Sequence, residues 1–89
     1  MTRSQSRPAT RPHIRTLTVR AAAFGWSLRI DDQEGALVFA TGGQAEAAAR
    51  RLAHRLAANG QAVEILIHLR DGSLAGRLSA QPELEPAAA

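Results

Sequence analysis

The chain is 89 residues long, with eleven basic side chains, all arginine, against eight acidic ones and no cysteine or tyrosine. That length makes one small domain, and the missing cysteine excludes disulfides, thiolate zinc sites and thiol nucleophiles together. The net charge of +3 permits weak attraction to phosphate without demanding it, and the pI near 11.3 overstates it, because only the terminal amine titrates between the histidines and arginine.

Residues 1–12 carry Arg3, Arg7 and Arg11 among Ser, Thr, Gln and two prolines. With little to bury, they read as a disordered basic arm. No apolar segment of the kind a secretory signal needs follows those arginines, and no apolar run nears the ~20 residues of a membrane span, so the expected location is the cytoplasm. One domain is expected over 13–78. Residues 79–89 read as a loose acidic tail, with Pro82 and Pro86 interrupting any helix around Glu83 and Glu85. A folded unit of this size buries only about 60% of the surface its unfolded chain exposes, so its core must be economical.

Residues 16–20 alternate and are rich in β-branched side chains, which predicts a first strand. After a connection over 21–25, residues 26–30 (Trp-Ser-Leu-Arg-Ile) alternate cleanly as a second strand. A polar turn over 31–35 then leads to a short third strand over 37–40. Two hairpins thus give an antiparallel meander. Thr41 stands where a helix N-cap belongs, with Gln44 completing a capping box, although Gly43 is an alternative cap. Ala45, Ala48, Ala49, Leu52 and Leu56 share one helical face, small residues first and leucines farther along. Glu46 precedes Arg50 by four residues, and Gly60 follows the last turn.

The run 63–69 (Val-Glu-Ile-Leu-Ile-His-Leu) alternates as a fourth strand, with Val63, Ile65, Ile67 and Leu69 toward the helix and Glu64, Leu66 and His68 away. Asp71-Gly72 predicts a two-residue type I′ hairpin turn, in which both positions take positive φ. A fifth strand over 74–78 follows, with Leu74, Gly76 and Leu78 inward. The expected fold is α+β: an antiparallel β-sheet with one α-helix packed on one face, in the order β-β-β-α-β-β.

These features together resemble the small bacterial family called domain of unknown function 2188. The residues that carry the resemblance are Trp26 leading a strand, Thr41 ending one, Ala45, Ala49-Arg50 and Ala53 on the helix, then Ile67-His68 and Asp71-Gly72. It spans roughly 24–78, with Gly42 where the family usually has lysine. The resemblance implies a compact α+β unit and brings no activity or site with it.

Candidates for chemistry are few. His68, Asp71 and Ser73 lie within six residues, but a triad needs its base held between nucleophile and carboxylate, and a hairpin tip splays these side chains apart. Glu64 and His68 share a strand face about 13 Å apart, too far to ligate one metal without donors from other strands. His13 and His54 complete no recognised ligand spacing. Thr41-Gly42-Gly43 at a helix start can bind an anion, but lacks the lysine and spacing of a nucleotide loop. Asp31, Asp32 and Glu34 read as a solvated turn. No catalytic, cofactor or metal residue is assigned, and the chain reads as a non-enzyme with no cofactor, membrane or small-molecule partner.

Arginine makes the stronger functional case. Arg20, Arg29 and Arg77 should project from the sheet face away from the helix, with Arg3, Arg7 and Arg11 adding charge from the arm, while Arg50, Arg51, His54 and Arg55 form a second basic surface. Phe24, Trp26 and Phe39 are the only rings besides histidine, and core packing can use them, which leaves no exposed aromatic for base stacking. Val38 and Leu66, apolar on the face expected to be open, point with His68 to contact with another chain. The expected function is therefore a small interaction domain that self-associates or docks on a protein partner through its open sheet face. The alternative is weak, sequence-tolerant nucleic-acid binding through the sheet-face arginines and the arm.

Overall fold

A computed structural model describes residues 14–82. The elements run β1 (Arg15–Ala22), β2 (Gly25–Ile30), β3 (Leu37–Phe39), α1 (Gly42–Ala58), β4 (Val63–His68) and β5 (Leu74–Ala80). They form one five-stranded sheet in the order β3-β2-β1-β4-β5, with α1 lying chiefly over β1, β2 and β4. The α+β class and element order are as expected, but the sheet is mixed. β1 and β4 pair in parallel, Leu17 opposite Ile65 and Val19 opposite Ile67, while the other three pairings are antiparallel. The cause is topological. The chain leaves the β3 edge through α1, crosses the sheet and returns beside β1, the connection that parallel strands require.

α1 begins where its cap chemistry places it. Thr41 has extended backbone, and its Oγ1 accepts the Gln44 N–H at 3.1 Å. Gln44 Oε1 reaches back to accept from the Thr41 and Ala40 N–H groups, so Thr41 and not Gly43 is the cap. At the other end Gly60 takes φ +89°; its N–H donates to Ala57 and that of Gln61 to Leu56, a Schellman closure of the last carbonyls.

The residues that α1 buries are Ala45, Ala49, Ala53 and Ala57, a stripe at every fourth position along the whole helix. Ala48, Leu52 and Leu56 are only half-buried beside it, so the expected change from small to large side chains along the helix is replaced by small at the centre and large on the flanks. Leu17, Val19, Leu28, Val63 and Ile65 meet that stripe from the sheet. Alanine along the contact lets the helix axis come close to the strands, and close packing is what a core this small requires.

Two hairpins depart from their expected geometry. The β4–β5 loop has three residues rather than two: the Gly72 N–H donates to Leu69, the Leu69 N–H to Ser73, and Gly72 has φ +94°. This is a type I turn closed by a left-handed glycine. Asp71 keeps negative φ, since among the described residues only Asp31 combines a side chain with positive φ. Beyond the loop, Ile67 faces Gly76 but His68 faces Leu74, leaving Ala75 as the extra residue of a bulge. A one-residue shift exchanges faces. Leu74 therefore lies on the His68 side and is 49% exposed rather than inward, and Leu69 is exposed past the end of β4.

The β1–β2 hairpin turns over Ala23 and Phe24, so Phe24 is 95% exposed rather than part of the core. Gly25 next to it is obligatory: a Cβ there would meet the Phe39 carbonyl oxygen at 2.4 Å, and its φ is +131°.

Candidate functional site

The open face follows from strand pairing. Leu17, Val19, Leu28 and Ile65 face the helix, so their neighbours along each strand face the other way. Across the middle of that face runs a row of directly paired residues, Arg29, Thr18, Leu66 and Arg77, on β2, β1, β4 and β5. The two arginines stand about 14 Å apart with the smaller side chains between them. On one side lies the row Thr16, Glu64 and Ser79; on the other, Val38, Ser27 and Arg20, with His68 opposite Leu74.

Local partners distinguish the arginines. Arg77 Nε lies 3.1 Å from Glu64 Oε2, an ion pair between neighbouring strands. Arg29 Nη1 donates to the Gln33 carbonyl at 3.2 Å. The Arg20 side chain has no partner among the described residues. Val38, on the short edge strand β3, is 67% exposed, whereas Leu66 and His68 are half-buried on β4, three strands away. Arg3, Arg7, Arg11 and His13 lie outside the described residues.

The hairpin-tip residues do not assemble into a triad. Asp71 Oδ1 accepts both the Ser73 N–H at 2.8 Å and the Ser73 Oγ–H at 2.7 Å. Those bonds, the hydroxyl first, hold the Asp71 carboxyl below its ordinary range. The His68 ring turns elsewhere, with Nδ1 3.3 Å from the Val19 carbonyl oxygen, a contact that requires the proton on Nδ1. Glu64 is taken up by Arg77. Among the described residues no group of three or more His, Cys, Asp or Glu side chains is placed to hold a metal ion.

At the helix start, Gly42 is explained by packing. A Cβ there would press on the Trp26 ring at 3.1 Å, and the Arg70 guanidinium lies over the same ring, 5.3 Å from its centroid.

Asp31 departs from the solvated turn expected of it. Its carboxylate accepts from the Thr16 N–H at 2.8 Å and Arg15 Nε at 2.7 Å, and its own N–H donates to the Thr16 carbonyl at 2.6 Å. Arg15 also donates to Gln61 Oε1 at 3.0 Å, so a clasp ties β1, the β2 end and the α1–β4 connection together. In the sequence Asp31 is simply the first residue after the second strand. Its partner Arg15 is legible only once β1 and β2 are paired. A groove of about 250 Å³ on the covered side of the sheet lies between α1 and β5, floored by Ala53, Ile65 and Leu78 and rimmed by Arg50 and His54.

No helix among the described residues is long and apolar enough to cross a membrane. A family described as "uncharacterized protein conserved in bacteria (DUF2188)" matches residues 18–79. No curated protein and no solved structure matches the chain.

Proposed function

The chain belongs to this family of uncharacterised bacterial proteins, and from that premise we propose that it is a non-enzymatic cytoplasmic interaction domain, self-associating or docking on a protein partner through its open sheet face. The observation that carries the reading is the row Arg29, Thr18, Leu66 and Arg77, which puts a half-buried leucine between two guanidinium groups on a face that α1 leaves uncovered. Val38 and Leu74 add exposed apolar surface on the same side. An apolar centre with arginine toward its rim is the composition of a protein contact. The separate engagements of His68, Asp71 and Ser73 support the non-enzymatic part of the reading.

The test is sedimentation velocity of the full chain over a concentration series. The expected result is a concentration-dependent dimer that Leu66→Asp and Val38→Asp each return to monomer. A chain that stays monomeric at every concentration overturns self-association.

One observation favours a second reading, nucleic-acid binding through Arg20, Arg29, Arg77 and the arm residues Arg3, Arg7 and Arg11. Phe24 supplies an exposed ring at the tip of the hairpin that carries Arg20. The bonds of Arg29 and Arg77 to Gln33 and Glu64 weigh against it. Affinity for a DNA duplex that falls steeply with added salt supports this reading, and no binding at low salt removes it.

A further inference from the structure

The groove between α1 and β5 lies opposite the face used above and has a different character. Its floor is apolar, with Ala53 and Ile65 buried and Leu78 half-buried. Arg50 and His54 stand on its rim and continue onto the outer surface of α1 with Arg51 and Arg55. Glu46 engages Arg50 at 2.7 Å, while Arg51 and Arg55 have no side-chain partner among the described residues. Such a surface suits a short segment with an apolar side chain flanked by carboxylates.

The chain carries that pattern at the groove's own end. Ser79 and Ala80, the last residues of β5, line the groove, and after Gln81-Pro82 the sequence continues Glu83-Leu84-Glu85. We propose that Glu83-Leu84-Glu85 is the occupant of this groove, with Leu84 over Ala53, Ile65 and Leu78 and the two carboxylates toward Arg50, Arg51, His54 and Arg55. Reach is not limiting. Leu84 is four residues beyond Ala80, and an extended chain spans about 3.3–3.6 Å per residue. Nor does the contact need high intrinsic affinity. A short tether gives an effective concentration on the order of millimolar, so a site with about millimolar affinity for the free peptide is roughly half filled by its own tail. The consequence is a basic helix surface that carries its own acidic competitor, and any polyanion drawn to Arg51 and Arg55 must displace it.

The test is NMR of the full chain, reading the His54 ring and the Ile65 and Leu78 methyl groups. Substituting Glu83→Gln with Glu85→Gln, and separately Leu84→Ser, is expected to shift those signals from their wild-type positions. High salt should reproduce the first change but not the second. Circular dichroism spectra that overlay on wild type check that each variant keeps its fold. Adding a synthetic peptide of sequence Gln-Pro-Glu-Leu-Glu-Pro-Ala to the Leu84→Ser chain should move the same signals back toward wild type. Two outcomes overturn the proposal: signals identical in wild type and both variants, and differences that vanish on dilution, which would place a second copy's tail in the groove.

Discussion

Where the sheet meets α1, its side chains are Leu17, Val19, Leu28, Val63 and Ile65, sealed against a stripe of four alanines. The same strands present Thr16, Thr18, Arg20, Arg29, Glu64 and Leu66 on the other side, without a covering layer among the described residues. The covered side is closed by smallness: a helix that approaches through alanine leaves no slack for added volume. The open side is held by pairwise contacts across strands, such as Glu64 with Arg77. Apolar packing therefore rests on one face, while the other is held by polar pairs.

Four experiments break or sharpen that contrast. Leu17→Ala should produce the largest loss, about 2–5 kcal/mol in denaturant unfolding, because Leu17 is fully buried under α1. Next, Ala49→Leu should cost about 1–3 kcal/mol by overpacking, whereas Thr18→Leu on the open side should stay within about 0.5 kcal/mol. Equal costs for the two would mean that the faces do not differ in slack.

Asp31→Asn tests the clasp at the sheet's edge. Asparagine tolerates the positive φ at this position, so the substitution reads mainly the charge that holds Arg15. A loss of about 1.5–3 kcal/mol is expected from the weakened charged hydrogen bonds, with Asp32→Asn as a near-neutral control.

The smallest effect is electrostatic. Asp71, fully exposed in the β4–β5 loop, has its folded pKa lowered by Ser73. The unfolded chain therefore binds more protons between the lowered and the ordinary value. The resulting stability is present above the ordinary aspartate range and is lost as pH falls through the lowered folded value. Asp71→Asn should lower Tm slightly at neutral pH and converge with wild type in acid, where Asp71 is itself protonated, so the acid limb of the Tm-versus-pH curve flattens.

Much of the covered side was legible in the sequence, because its signals are local. Thr41 and Gln44 form the capping box they spell, Gly60 closes the helix, and the alternation in β2 and β4 places Leu28 and Ile65 inward. What escaped depends on distant parts of the chain. The parallel β1–β4 pair is decided by where the crossover lands, which no window of residues records. The bulge that turns Leu74 outward depends on a three-residue loop, whereas Asp71-Gly72 read locally favours a two-residue one. Asp31 looked like one of three turn acids until pairing brought Arg15 and Thr16 to it. Phe24 is hydrophobic enough for core packing to use, yet the turn that carries it points it to solvent. For the candidate contact surface, the face on which Val38, Leu66 and His68 stand followed from period-two alternation, while the bonds that tie Arg29 and Arg77 did not.

The parallel pair also sets an order of events on the ribosome. β1 is synthesised first of the strands, yet the neighbour on one of its sides is β4, and forty-six residues separate Ala22 from His68. At about 5–20 residues per second, that flank of the nascent chain waits roughly 2–9 s for its mate. For most of that interval, until Ala58 completes α1, Leu17 and Val19 lack the helix that shields them, so the hazard of sticking to another nascent chain is greatest before the last third of the protein has been made.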